Sequence, residues 1–272
     1  MHSLYTYSPV PTPAQRVLRQ AWRNDSTLTE ARFLAEEVAV AFSYDGQAHA
    51  VLMATPDNLE DFAIGFSITE GIIGIPGEIS ELRVISTADG IVLQMWLMGA
   101  RSDALAARRR RFVGPAGCGM CGLESLTEAN RALPVSHHGL LVSNRDVQEA
   151  VAALPCSQTL NAQTRSVHAA AFWQPGHDLL VREDVGRHNA LDKLAGALLR
   201  ERRSAAAGIV VLSSRISIEL VQKAAMIGAG VVVGISAPTA LAVRTAESAG
   251  ITLIGIARDD GFDVFTHFEA IC

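Results

Sequence analysis

The chain has 272 residues, 49% hydrophobic and 19% charged, which is long enough for one large or two smaller cores and too apolar for a disordered chain. A formal net charge of −5 argues against a general nucleic-acid binder, although a local basic patch remains compatible with an anionic ligand. No apolar run reaches the roughly 18 residues of a membrane span, Met1-His2-Ser3-Leu4-Tyr5 lacks a signal-peptide pattern, and four cysteines are too few for a disulfide scaffold. The expectation is a cytoplasmic protein with reduced thiols and no membrane span.

In chain order, residues 1 to about 30 are polar and proline-containing and read as a loose arm. Val38–Phe42 and Ala48–Met53 flank Asp45-Gly46, a dipeptide suited to a tight hairpin. Thr55-Pro56-Asp57-Asn58 then introduces a helix from about Leu59 to Thr69, with Leu59, Phe62, Ala63 and Phe66 at helical spacing and Gly71 as its stop. A second hairpin is expected around Asp89-Gly90, from Leu82–Ile85 to Ile91–Trp96. A third joins His168–Phe172 to Leu179–Arg182 around Pro175-Gly176, and a helix follows from about His188 to Glu201. The runs Ile209–Leu212, Val231–Ile235 and Ile251–Ile256 alternate with helical stretches, the pattern of parallel strands buried on both faces. The resulting organisation is an arm over 1–30, a small α+β domain over 31–112 and a three-layer α/β domain over 113–272.

Three constellations carry chemistry. The first is Cys118-Gly119-Met120-Cys121, in a glycine-rich run just after Arg108–Arg111. A Cys-x-x-Cys pair can hold a metal, run a disulfide or carry sulfur. It supplies only half of a tetrahedral zinc site, and no second such pair exists. His168 is followed by Ala169-Ala170, not by the glutamate of a zinc deaminase. Glycines 114, 117, 119 and 122 disfavour the helix N-terminus of a thioredoxin-type site. The arginine run either raises the thiolate fraction or simply ends a helix. Cys156 and Cys272 have no partner spacing and read as incidental.

The second constellation is Glu183 to Lys193, seven polar or charged residues around a turn into a helix. Arg187 and His188 at a helix N-terminus are electrostatically awkward and suggest an anionic partner. The competing reading makes Asp192 and His188 a surface pair four residues apart. The third is the set of strand ends, Ser213-Ser214-Arg215, Ser236–Thr239 and Ala257–Gly261, where ligands of α/β sheets bind. Each is also a plausible helix cap.

Taken together, these segments resemble the formate dehydrogenase accessory sulfurtransferase family, FdhD/NarQ. The resemblance is carried by Thr55-Pro56-Asp57, Ala63–Phe66, Glu70-Gly71, Cys118–Gly122, His168-Ala169-Ala170, Asp184–Lys193, Ile216-Ser217 with Glu219–Lys223, and Ser236-Ala237-Pro238. It implies a homodimeric sulfur carrier that takes persulfide sulfur from a cysteine desulfurase. The sulfur passes to the molybdenum cofactor, Mo-bis(molybdopterin guanine dinucleotide), before insertion into formate dehydrogenase. It also implies a C-terminal domain similar in fold to cytidine deaminase, with Cys118 bearing the persulfide, Cys121 assisting, and no permanent metal. The cofactor contacts expected are Ile256, Ala257, Arg258, Asp259, Asp260 and Gly261, with Arg187, His188, Ser213, Arg215 and Ser236. The chain departs from the family pattern in three places. Ser213-Ser214-Arg215 stands for Ser-Gly-Arg, Thr164-Arg165-Ser166 for Thr-Gly-Gly, and Asp259-Asp260-Gly261-Phe262 replaces a basic Gly-Arg. Two other classes stay open: a non-catalytic cofactor-binding chaperone for formate dehydrogenase, and a zinc-dependent deaminase-like hydrolase.

Overall fold

A computed structural model describes residues 8–111, 133–135 and 140–272, with only the backbone of 106–111. The chain begins with β1 (Ala14–Arg23) and β2 (Ser26–Ala35), an antiparallel hairpin in register from Ala14↔Ala35 to Arg23↔Ser26. This corrects the expectation of a loose arm. Asn24 and Asp25 both take positive φ, 44° and 63°, the geometry of a two-residue primed turn. The turn was missed because it lacks the usual glycine, and because the strands form a sheet of their own with no core-facing alternation.

The next unit is a four-stranded sheet in the order β4-β3-β6-β5, built from β3 (Val38–Tyr44), β4 (Gln47–Ala54), β5 (Ile79–Thr87) and β6 (Gly90–Leu97). Both expected hairpins form, and β3 and β6 pair in parallel at the centre. Helix α1 (Leu59–Thr69) covers one face, burying Phe62 and Phe66 against Phe42 of β3. The other face of α1 is also buried, so the helix has no polar stripe. Helix α2 (Gly99–Arg111) follows β6.

The larger unit is a six-stranded sheet, β12-β11-β10-β9-β7-β8. Its centre is the expected parallel trio, β9 (Ile209–Leu212), β10 (Val231–Gly234) and β11 (Thr252–Arg258). Antiparallel neighbours flank it: β7 (His168–Trp173) and β8 (Leu180–Asp184) on one side, β12 (Gly261–Val264) on the other. One face is covered by α5 (Arg187–Arg200), α6 (Ile218–Met226) and α7 (Ala240–Ala249). The opposite face is covered by α3 (Asn144–Ser157), through Val147, Val151 and Leu154. The short α4 (Thr159–Thr164) follows. The result is a three-layer α/β unit beside a smaller α+β unit. No described helix is long and apolar enough to cross a membrane.

Helices α1 and α5 join the two units. They cross so closely that a Cβ on Gly65 would lie 1.7 Å from the Asp192 carbonyl oxygen, and one on Gly196 1.9 Å from that of Asp61. Only glycine fits at either crossing point.

Candidate functional site

The densest polar cluster of the sequence, Glu183 to Lys193, divides between two jobs in the structure. Most of it welds the two units together. Asp184 is fully buried and pairs with the equally buried Lys193 at 2.6 Å. Its carboxylate also accepts from the Thr55 and Gly186 backbone N–H groups and from Asn189 Nδ2. Lys193 Nζ donates on to the Thr55 carbonyl, and Asn189 to that of Met53. Burial pulls the Lys193 ammonium down and Asp184 opposes that pull.

Immediately before Lys193 in the same helix, Asp192 takes Lys223 Nζ at 2.9 Å and the Thr69 hydroxyl. Burial pushes the Asp192 carboxyl up to about 6, against the pull of Lys223 and Thr69. Burial likewise pulls on Lys223, but Asp192 and Glu70 outweigh it and keep its pKa above the ordinary value. Asp61 of α1 completes the weld by binding Arg182 at 2.7 Å and Arg200 at 2.7 Å. Asp192 is therefore no surface partner of His188. Every carboxylate here meets a cation and additional donors, the condition under which buried charge is tolerable.

Arg187 and His188 open α5 beside this weld and outside its ion pairs. His188 Nε2 lies 3.5 Å from the Ser217 hydroxyl and 3.9 Å from Glu219. Burial, then the positive charges of Arg187 and Lys223, press its imidazole down to about 4, so the ring is neutral near pH 7. Arg187 Nε is buried without a hydrogen-bond partner among the described residues. The guanidinium charge also reaches His168, whose imidazole is lowered by burial first and Arg187 second. An unanswered buried guanidinium N–H suits an anionic ligand.

A cavity of about 690 Å³ opens at the carboxyl ends of the parallel strands. Ser213 follows β9, Ile235 follows β10, and Ala257 to Asp260 end β11 and turn into β12, and all of these line it. Because β7 runs antiparallel, its first residue, His168, comes to the same edge. Leu154 and Pro155 of α3, and Gln158 after it, supply the facing wall. Neither α3 nor β12 was expected from the sequence.

The strand ends are tied to one another. The Ser213 hydroxyl accepts from the Ala169 backbone N–H at 2.8 Å, and the Arg258 guanidinium donates to the carbonyls of Ile235 and Ala257. Ser236 accepts the Ile256 N–H through its carbonyl. Ile256 sits at a bulge in β11 with φ 54°, a strained conformation for a β-branched residue, and its side chain is exposed. Gly261 opens β12 at φ 155°.

Of the expected cofactor contacts, Ser213, Ala257, Arg258, Asp259 and Asp260 line one cavity. Ile256, Gly261 and Ser236 adjoin them, Arg187 and His188 stand at the start of α5, and Arg215 is exposed outside the lining. Gln158 and His168 were absent from the expected set. A glutamine between two helices carries no sequence signal. Cys118 and Cys121 lie outside the described residues, as does the glycine-rich run around them. Among the described residues, no three His, Cys, Asp or Glu side chains gather as a metal site would require.

A family model described as the FdhD/NarQ family matches residues 35–272. A "Sulfur carrier protein FdhD" of Agrobacterium fabrum is 51% identical over 259 residues, 94% of this chain and 96% of that one. A protein of the same name from Bordetella petrii is 40% identical over 270 residues, covering 97% of each chain. A Desulfotalea psychrophila crystal structure, provisionally assigned as a formate dehydrogenase accessory protein, superposes with a TM-score of 0.76 at 23% identity. It covers 95% of this chain and 99% of that one, and so supports the fold.

Proposed function

The chain belongs to the FdhD/NarQ family, and on that premise we propose that it is the sulfur carrier for a formate dehydrogenase. Its sulfur source is a cysteine desulfurase and its acceptor is the bis-guanine-dinucleotide molybdenum cofactor, the cargo bound before it enters the client enzyme. Transfer begins when the Cys118 thiolate attacks the outer sulfur of the donor's persulfide. A Cys118 S–S bond forms as the donor's S–S bond breaks, and the donor leaves as its thiolate, so the exchange has no net oxidation. Cys121 assists release toward the cofactor. The work is done in the cytoplasm by a homodimer.

The observation that carries this reading is the cavity at the strand ends. It lies where α/β sheets hold their ligands, and its volume suits one nucleotide-sized group. Arg258 at its edge and Arg187, whose Nε has no partner among the described residues, supply positive charge for diphosphate. The neutral His188 and the Ser217 hydroxyl add uncharged hydrogen-bonding groups at the start of α5.

Mass spectrometry after incubation with a desulfurase and cysteine tests the sulfur step. The Cys118 peptide gains one sulfur atom, and Cys118→Ala abolishes both that gain and formate dehydrogenase maturation in cells. An unmodified Cys118 peptide, or full maturation with Cys118→Ala, refutes the carrier role and leaves a cofactor chaperone.

A further inference from the structure

A second cavity, of about 370 Å³, opens where the β1–β2 hairpin meets both larger units. The hairpin base supplies Phe33, the turn into α1 supplies Asp57 and Asn58, and β8 and α4 supply Val181, Glu183 and Gln163. No lysine, arginine or histidine lines it, although two carboxylates do. Asp57 accepts one hydrogen bond among the described residues, from the Asn58 backbone N–H at 2.8 Å. Glu183 accepts from the Leu160 and Asn161 backbone N–H groups, both at 2.8 Å, and so caps α4 without meeting a cation. A carboxylate beside an aromatic wall is a setting in which a guanidinium pairs and stacks at once. The volume is at the small end for ligand cavities and suits one long side chain.

The surface that leads away from this cavity is built for a protein. Arg16 stands opposite Phe33 in the hairpin register, so Leu18 and Trp22, two and six residues further along β1, share the face of Phe33. Phe33 is 45% exposed, Leu18 76% and Trp22 70%, in a two-stranded sheet that pairs with no other strand. An isolated hairpin is marginal in water, and exposed tryptophan, phenylalanine and arginine are the residues that protein interfaces favour. The face runs from Phe33 at the cavity to Trp22 beside the hairpin tip.

We propose that this cavity is a socket for an arginine side chain of the client formate dehydrogenase, and that the hairpin face carrying Phe33, Leu18 and Trp22 holds the apolar segment on which that arginine sits. This rests on the reading of the chain as a carrier for such an enzyme. The guanidinium pairs with Asp57, with Glu183 behind it, stacks on Phe33, and donates its remaining N–H groups to the side-chain carbonyls of Asn58 and Gln163. The position favours the client over the sulfur donor. The break between α3 and α4 is a wall common to both cavities: Ser157 and Thr159 line this one, while Pro155, Gln158 and Asn161 line the one at the strand ends. A partner seated here is one helix break from the cargo that it is to receive.

Titration calorimetry of the full chain with purified, cofactor-free formate dehydrogenase, at low and at raised salt, tests the inference. Asp57→Asn keeps the acceptor for the Asn58 N–H and removes the charge, so it weakens binding by about tenfold and flattens the salt dependence. Trp22→Ser weakens binding equally at both salt concentrations. Gln163→Glu, on an exposed helix position, adds a carboxylate and tightens binding at low salt, a gain that misfolding cannot produce. Agmatine, which carries the arginine guanidinium on a short chain, competes with the dehydrogenase on the wild type and not on Asp57→Asn. No binding by the wild type, unchanged affinity in Asp57→Asn or Trp22→Ser, or no gain in Gln163→Glu overturns the proposal. Agmatine that binds without displacing the dehydrogenase overturns it in favour of a free amine. A halved mass for Trp22→Ser in sedimentation overturns it in favour of a second copy of the chain. Sulfur gain on the Cys118 peptide separates this from the carrier role: it persists in Asp57→Asn while formate dehydrogenase maturation falls. If the wild type gains no sulfur, the carrier reading fails; if it gains sulfur and matures the enzyme as well with Asp57→Asn as without, only the socket fails.

Discussion

Replacing Gly196 with alanine tests how the two units are held together. The new Cβ would sit 1.9 Å from the Asp61 carbonyl oxygen, 2.6 Å from its carbon and 2.8 Å from its Cα, all main-chain atoms that no rotamer change can move. To restore an ordinary contact, α1 and α5 must part by about 1.5 Å. That movement strains the short polar contacts across the crossing, Arg200–Asp61 at 2.7 Å and Lys193 Nζ to the Thr55 carbonyl, just before α1, at 2.9 Å. Overpacking of a tight interior costs about 1–3 kcal/mol, and stretched buried pairs add to it. Alanine returns up to ~1 kcal/mol through helix propensity. The expected net loss is roughly 2–4 kcal/mol, a large part of the ~5–15 kcal/mol that stabilises a typical fold. Urea unfolding followed by circular dichroism measures it, with Gly99→Ala as the control because a Cβ there meets nothing within 4 Å. Gly65→Ala strikes the same crossing from the other helix, so the double variant loses less than the sum of the singles. If Gly196→Ala unfolds within about 0.5 kcal/mol of the control, the close-crossing argument is wrong.

Two further predictions concern the charges beside that crossing. Lys193→Met leaves the fully buried Asp184 carboxylate without its cation and costs about 3–5 kcal/mol in urea unfolding; adding Asp184→Asn recovers part of the loss, and no recovery would mean that the pair is not the reason. His188 has its folded-state pKa lowered to about 4, so between that value and its ordinary 6.5 the unfolded chain binds the extra proton and the folded protein loses stability as pH falls. Asp192, raised to about 6, has the opposite sign and gains stability over the same acidification. His188→Gln removes only the first, so its melting temperature relative to wild type should climb steadily from pH 6.5 down to pH 4.5; a constant offset would place a compensating proton elsewhere.

Much of the fold was legible because its signals are local. Asp45-Gly46 turns between β3 and β4 with both residues at positive φ, and α1 spans Leu59–Thr69 as its apolar spacing required. The parallel strands show as unbroken β-branched runs because both of their faces are covered. The losses also have local causes. The β1–β2 hairpin turns on Asn24-Asp25 without a glycine, and β12 is four residues long after a bulge. Helix α3 carries Pro155 in its last turn, which obscures a helical pattern that its Ser143–Asp146 capping box otherwise announces.

The polar run from Asp184 to Lys193 shows where reading a site from sequence stops. Charge density around a helix start is the same signal whether the charges face a ligand or another part of the chain. Here the deciding partners are remote. Thr55 reaches Asp184 and Lys193 across about 130 positions, and Thr69 reaches Asp192 across 123. Those partners lie in Thr55-Pro56-Asp57 and just before Glu70-Gly71, segments that carry the family resemblance as strongly as the cysteines do. So part of what looked like a ligand motif is an interface motif, and the two are coupled by position. Arg187 and His188 leave the weld at the point where α5 begins, and Asp184 braces that same turn through the Gly186 N–H at 2.7 Å. A weld this rigid fixes where the Arg187 guanidinium stands relative to the strand ends. Loosening it through Gly196 or Lys193 should therefore weaken ligand binding at the cavity as well as the fold, although none of those residues lines it.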